Sequence, residues 1–371
     1  MTRGIIHLAA GGTGGHIFPA LSVAEILQAR GFTPYLFTDK RGSALLAGMD
    51  DLPVSLHVIS AASPYNSNPV KRLGAVIKLA FGALTCVLKI GITRPEVMIG
   101  FGGYPSFAPL MVARLLGVPT MVHEQNAFLG RANKYIASGA RLLALSWPQT
   151  KNLPPKIIKH VTGIPVRTAF FVGRNQQNTG KTLTLTILGG SQGAIILGSL
   201  VPDAIAMLDK ALLSRVQIYQ QARVERVDAL TARYKALGVP AIIETFFNDM
   251  PDLLAKSDLV ICRSGASSIA ELAAIGRAAL MLPLPSAMDD HQRANALQME
   301  AAGGGYCLDE TSVSPAFLAT RIIQLFENPE HLQAMGRKAT HLASPNAASD
   351  IADLAESLIH KPKSSSVGAA A

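Results

Sequence analysis

Six residues near the start of the chain, Gly11-Gly12-Thr13-Gly14-Gly15-His16, join backbone freedom to a side chain that can carry a proton near neutral pH. Further glycine pairs stand in Gly102-Gly103-Tyr104-Pro105-Ser106 and Gly189-Gly190-Ser191-Gln192-Gly193. Polar runs accompany them: His123-Glu124-Gln125-Asn126, Cys262-Arg263-Ser264-Gly265-Ala266-Ser267-Ser268-Ile269-Ala270-Glu271 and Asp289-Asp290-His291-Gln292-Arg293-Ala294-Asn295. Such amides, hydroxyls and carboxylates suit a sugar and a ribose, and glycine turns entering helices offer N–H groups to a diphosphate. Residues 264–268 read as a helix N-terminus, whose dipole favours phosphate. Glu271, one turn further, could accept from two ribose hydroxyls or simply be a solvated helix acid.

These groups need elements to position them, and each run follows an apolar stretch of strand length. Strands are expected at residues 5–10, 34–38, 54–59, 97–101, 119–123, 142–146 and 158–162, and again at 183–188, 216–220, 241–245, 259–262 and 279–283. Helix-periodic segments lie between them, so the pattern is α/β with parallel βαβ units. The alternation lapses over 163–181, which reads as an interdomain linker. The cycle then restarts with strand, Gly-Gly-x-x-Gly and helix, repeating the opening. Two doubly wound, Rossmann-like parallel-sheet domains with an interdomain cleft follow, at 1–163 and 164–345. Helical segments at 314–327, 329–343 and 347–360 close the chain, with a break near Ser344-Pro345 and a low-complexity tail at 361–371 expected to be disordered.

Composition narrows the classes. Of 371 residues, 49% are hydrophobic and 16% charged, enough for two cores and too little charge for disorder. A net charge of +9 implies an anionic partner, but 6% aromatic content and scattered cations argue against nucleic acid. Cys86, Cys262 and Cys307 lie far apart without metal-ligand or disulfide spacing. No run reaches the roughly 20 apolar residues a membrane span needs. The chain enters its first strand without a charged leader. A dinucleotide reading of the first loop fails, because the third fingerprint glycine falls on Ile17. Asp39, placed where a ribose-binding acid would fall, is then expected to be a solvated loop acid.

Taken together and in this order, Gly11 to Pro19, Gly102 to Ser106, His123 to Asn126, Gly189 to Ala194 and Cys262 to Ala266 resemble the bacterial peptidoglycan N-acetylglucosaminyltransferases that convert lipid I to lipid II. The resemblance spans residues 4 to about 360. It implies a GT-B fold, with the donor UDP-N-acetylglucosamine mainly on the C-terminal domain and the acceptor on the N-terminal one. It also implies that the last helix, residues 346–360, crosses back to the first domain. Thr13, Gly14 and Gly15 would approach the donor sugar, and Asn126 would hold a sugar hydroxyl. Arg167 and Ser191 would lie at the diphosphate, Gln192 among the substrate-binding residues, Phe247 at the uracil, and Ala266, Ser267 and Ser268 at phosphate and ribose. Glu271 would take the ribose hydroxyls and Gln292 the sugar, with Gly102, Gly103 and Tyr104 on the acceptor side. Two positions depart from the family pattern: His291, where a second glutamine is common, and Ile164, where asparagine is.

The implied chemistry is attack by the C4 hydroxyl of N-acetylmuramic acid on the anomeric carbon, with inversion and departure of UDP. It needs a base, for which His16 and Glu124 are the candidates, and electrostatic stabilisation of the diphosphate. No Asp-x-Asp motif is present, and the reading calls for neither metal nor cofactor. Residues 69–94 interleave Lys71, Arg72, Lys78, Lys89 and Arg94 with Val70, Leu73, Val76, Ile77, Leu79, Phe81, Leu84, Val87 and Leu88. That stretch is either a sheet-covering helix or an interfacial helix for an anionic phospholipid surface. The resemblance favours the latter and implies a peripheral position on the cytoplasmic face of the inner membrane, near undecaprenyl-diphosphate-linked lipid I and other cell-wall synthesis proteins. A related GT-B member, such as a UDP-N-acetylglucosamine 2-epimerase or a transferase for another acceptor, and a non-catalytic nucleotide-sugar-binding scaffold are the alternatives.

Overall fold

Apolar runs without alternation are suited to strands covered on both faces, and they form the middle of both sheets. The computed structural model describes residues 2–49, 51–61, 69–175, 182–190, 194–287 and 290–359. The first sheet holds β1 (Ile5–Ala9), β2 (Thr33–Thr38), β3 (Ser55–Val58), β4 (Val97–Gly100), β5 (Thr120–Glu124), β6 (Leu142–Leu145) and β7 (Lys159–Val161). Its spatial order is β3-β2-β1-β4-β5-β6-β7, all parallel. The second holds β8 (Leu183–Leu188), β9 (Val216–Gln221), β10 (Ala241–Glu244), β11 (Leu259–Cys262), β12 (Ala278–Met281) and β13 (Gly305–Cys307), in the order β10-β9-β8-β11-β12-β13, again all parallel. Every residue of β4, β5, β6, β8, β11 and β12 is buried, whereas the edge strand β7 is exposed throughout. β13 has no counterpart in the sequence reading. Three residues preceded by two glycines carry too short an apolar signal to register.

Helices cover both faces. Gly14–Ala29 packs on the first sheet, with Ile17, Ala20, Val23, Ala24 and Leu27 fully buried. The terminal helix Ala347–Ile359 lies against it and puts Ile351, Ala352, Ala355 and Leu358 into the same core. Arg30 fastens it by ion pairs to Asp353 at 2.5 Å and Glu356 at 2.9 Å, and Arg3 adds a third to Glu356 at 2.8 Å. The chain's last described helix thus belongs to the core of its first domain.

Two expectations are corrected. The stretch at 163–181 is not a bare linker in its described part. Residues Thr168–Val172 form a helical turn, Phe170 is fully buried among second-domain residues, and Arg174 Nε donates to the Ala274 carbonyl at 3.0 Å. The short apolar run Ala169-Phe170-Phe171-Val172, set between polar stretches, carried that turn into the core. Residues 176–181 lie outside the described ones, as does the tail at 361–371. Asp39 is not a solvated loop acid. It is 7% exposed and caps the helix Lys40–Leu46, accepting from Gly42 N at 3.0 Å and pairing with Arg41 Nε at 3.2 Å. An acid just ahead of a helix satisfies N–H groups that would otherwise be orphaned.

Candidate active site

Chain order reverses between β1 and β4 in the first sheet and between β8 and β11 in the second. Such switch points open a crevice beyond the strands' carboxyl ends, and the loops leaving these four strands carry the glycine and serine motifs. Across the first crevice two backbones touch: Gly11 N donates to the Gly102 carbonyl at 2.8 Å. A Cβ on Gly11 would stand 2.9 Å from Gly103 Cα, and one on Gly103 2.7 Å from Gly11 Cα. Gly102 and Gly103 also hold φ of +94° and +79°, so no side chain is tolerated at this junction on either count. Tyr104 and Pro105 then open the helix Tyr104–Leu115.

His16 sits in the first turn of Gly14–Ala29, against that glycine junction. The helix's N-cap residue is Thr13, yet its hydroxyl caps no N–H and lies 3.0 Å from His16 Nδ1 instead. When Nδ1 carries the proton and Thr13 accepts it, the Nε2 lone pair is left for chemistry. Burial, with His291 of the second domain adding to it, lowers the His16 imidazole to about 4. His16 is therefore neutral at physiological pH, as a base must be before it acts.

Glu124, at the end of β5, is placed differently. It is 1% exposed, and its Oε1 accepts from Asn126 N at 2.9 Å and Asn126 Nδ2 at 3.0 Å. Its Oε2 accepts from Gly130 N at 3.0 Å and Asn133 Nδ2 at 2.8 Å. Four N–H groups occupy the carboxylate, which holds the loop after β5 and the Asn126 amide in place. His123 is fully buried, with Nε2 on the Gly163 carbonyl at 2.9 Å, and desolvation lowers it to about 4.

The second domain presents the helix Ala266–Ile275 to the same region, its first turn capped by no side chain. Ser267 Oγ reaches across the interdomain boundary and donates to the Gly15 carbonyl at 2.9 Å. Ala266 is buried, Ser268 is half-buried, and Ser264 Oγ is buried without a hydrogen-bond partner. Burial pushes the Glu271 carboxyl up to about 7, with Arg167 drawing it back. The Arg167 guanidinium lies over Phe18 at 4.8 Å and Phe170 at 5.2 Å, and its Nε has no acceptor. Gln292 Oε1 accepts from Leu284 N at 3.0 Å, which leaves its NH2 end for other partners. Half-buried Phe247 follows β10 and meets Tyr219 edge-on at 6.4 Å. Ser191 and Gln192 lie outside the described residues.

Three contributors carried no role in the sequence reading. Asn133 bonds Glu124, Phe18 backs Arg167, and Asn295 bonds Asn126 and Ser264. Asn295 stood in a polar run already noted, but its interdomain reach is visible only in three dimensions. Among the described residues, no group of three His, Cys, Asp or Glu side chains is arranged to hold a metal ion.

Two parallel-sheet α/β domains, facing each other through the loops at their switch points, define a GT-B fold. Models of the glycosyltransferase family 28 N-terminal and C-terminal domains match residues 6–143 and 184–356. The chain belongs to glycosyltransferase family 28. It is 40% identical to a protein of Paramagnetospirillum magneticum over 96% of this chain and 97% of the relative, and 41% identical to one of Mesorhizobium japonicum over 96% of each. Both are named UDP-N-acetylglucosamine--N-acetylmuramyl-(pentapeptide) pyrophosphoryl-undecaprenol N-acetylglucosamine transferase. The crystal structure of Acinetobacter baumannii MurG superposes with a TM-score of 0.74 at 29% identity, covering 96% of this chain and 99% of that one. A UDP-GlcNAc 2-epimerase from Neisseria meningitidis shares the fold at 15% identity with a TM-score of 0.68.

Proposed function

We propose that this chain transfers N-acetylglucosamine from UDP-N-acetylglucosamine to the C4 hydroxyl of the N-acetylmuramoyl-pentapeptide of lipid I, with inversion, releasing lipid II and UDP. The observation that carries the reading is the meeting of the first glycine loop, at Gly15 beside His16, with the second domain's Ser267, in a chain 40% identical to a transferase of that name over nearly its whole length. We assign the N-terminal domain to residues 1–163 together with the crossing-back helix, and the UDP-sugar domain to 164–345.

In this assignment His16 takes the acceptor proton through Nε2, and Thr13 fixes its tautomer. An imidazole lowered to about 4 by burial is a weak base in the free protein. A diphosphate anion brought beside it would raise it toward neutrality, so basicity grows when the donor is in place. Glu124 serves as a positioning residue because its lone pairs are committed. Arg167, with Ala266, Ser267 and Ser268 at a helix N-terminus, would meet the leaving diphosphate. Glu271 would hold the ribose, Phe247 the uracil, Asn126 and Gln292 the sugar hydroxyls, and Gly14 and Gly15 the sugar face. Gly102, Gly103 and Tyr104 line the acceptor side. Ser191 keeps its place at the diphosphate in this proposal, and Gln192 its place among the substrate-binding residues.

The helix Pro69–Thr93 is the proposed contact with an anionic phospholipid surface on the cytoplasmic face of the inner membrane. Its buried side carries Cys86 and Ile90, yet Phe81, Leu84, Leu88 and Ile92 are 65%, 58%, 58% and 79% exposed, beside exposed Lys78, Lys89 and Arg94. An apolar stripe flanked by cations fits an interfacial helix. The side chains of Val70, Lys71, Arg72, Leu73, Val76 and Ile77 lie outside the described ones. No described helix is long and apolar enough to cross a membrane.

The transfer is tested on the product. Incubation with UDP-N-acetylglucosamine and a soluble lipid I analogue should yield a β-linked disaccharide by mass spectrometry and NMR. An α-linked product, or 2-epimerised donor in place of a disaccharide, would refute it.

A further inference from the structure

Asn295 lies on the second-domain helix His291–Ala301, fully buried, with partners from both domains. Its Oδ1 accepts from Ala127 N at 3.2 Å. Its Nδ2 donates to the Ser264 carbonyl at 3.2 Å and to Asn126 Oδ1 at 3.3 Å. One acceptor and two donors are the full repertoire used here, and each has a partner.

The backbone decides which way this amide points. Ala127 N–H can only donate and the Ser264 carbonyl can only accept, so oxygen must face the first and nitrogen the second. That choice dictates the next one. The second N–H of Asn295 requires an oxygen opposite it, which sets Asn126 Oδ1 there. Asn126 Nδ2 then faces Glu124 Oε1 at 3.0 Å, the pairing a carboxylate demands. Two constraints therefore agree at Asn126: Glu124 from its own domain, and Asn295, itself oriented by one backbone group in each domain, from the other. What remains of the half-buried Asn126 amide is one N–H and one carbonyl lone pair in a fixed arrangement.

We infer that Asn295 is a positioning residue for the transfer reaction: it braces from the second domain the sugar-binding amide of Asn126, whose orientation Glu124 sets within the first, and so ties the position of that amide to contact between the two domains. The inference rests on the transferase reading above, in which Asn126 holds a sugar hydroxyl. Removing Asn295 leaves the Ala127 N–H and the Ser264 carbonyl unpaired and takes from Asn126 Oδ1 its interdomain donor, so the Asn126 amide is held from the Glu124 side but no longer braced by the second domain.

The test uses the full chain with UDP-N-acetylglucosamine and a soluble lipid I analogue, comparing wild type, N126A, N295A, N295D and the N126A/N295A double variant. N295D is nearly isosteric and keeps the acceptor facing Ala127 N, but turns an oxygen toward Asn126 Oδ1 and the Ser264 carbonyl. Thermal melts report folding, and N295D carries the comparison should N295A fail to fold. N295A and N295D should lower kcat roughly 10- to 100-fold while the donor KM and the calorimetric Kd of UDP change less than about threefold. The N126A/N295A variant should be no slower than N126A alone, since residues that act as one unit are not additive. Wild-type kcat in N295D, losses that multiply in the double variant, or a UDP affinity falling in step with kcat would overturn the inference. An inactive wild-type chain would overturn the transferase reading itself, and the inference with it.

Discussion

Glu271 shows how one residue's setting makes a binding role measurable. Its carboxyl is raised to about 7 by burial, against the pull of Arg167. Ribose hydroxyls would donate best to the ionised form, so UDP should bind more tightly as pH rises through about 7. Glu271→Gln should weaken UDP binding by about tenfold, the effect of losing one charge-assisted hydrogen bond. Stability runs the other way. The folded carboxyl lies above its ordinary 4.5, so its contribution is present at low pH and is lost as pH rises from 4.5 through about 7. The Gln variant should therefore melt above wild type at pH 8, and calorimetry with thermal melts at pH 6 and pH 8 checks both halves. An unchanged UDP affinity would remove Glu271 from the ribose. At this scale the glycines, His16, Asn126 and Glu271 read from the sequence all follow the carboxyl ends of central strands, β1, β4, β5, β8 and β11. The sequence left His16 and Glu124 undivided, and the four hydrogen bonds on Glu124 that set the two apart in the proposal, one of them from Asn133 nine residues on, are not legible in it.

Among the elements, the helix Pro69–Thr93 carries two apolar faces, one buried in the core and one exposed. Ile90 is 1% exposed and packs with Cys86 into the first-domain core, while Leu88 is 58% exposed. Ile90→Ala should cost about 2–5 kcal/mol in urea unfolding, as deletion of a buried branched side chain does. Leu88→Ser should stay within about 0.5 kcal/mol of wild type. On anionic vesicles the order should reverse, with L88S losing binding and I90A, below its melting temperature, retaining it. Equal vesicle binding by L88S and wild type would argue for a different use of the exposed face. Periodicity alone could not separate the buried face from the exposed one, because both satisfy an apolar stripe. The strands were more legible, since buried parallel strands such as β4, β8 and β11 are uninterrupted apolar runs. β13 and the Phe170 turn escaped because each is short and owes its place to neighbours distant in sequence.

At the level of the whole molecule, two sheets with the same strand logic are joined so that their switch-point loops meet. Ser267 bonds Gly15, Asn295 bonds Asn126 and Ala127, and the terminal helix Ala347–Ile359 returns to the first core. The doubled strand–glycine–helix pattern made two domains readable from the sequence. Which side chains span the boundary was not readable, because those pairs lie 168 to 252 residues apart. On the proposed reading the first glycine loop faces the reacting sugar instead of cradling a cofactor, and His16 moves the proton. The measurement that bears on this most directly is UDP release from UDP-N-acetylglucosamine, with and without a lipid I analogue, in wild type and His16→Ala. Release should require the acceptor, and H16A should lose roughly 100- to 10,000-fold in kcat, the range of a general base. Release without acceptor, or near-wild-type kcat in H16A, would contradict the account.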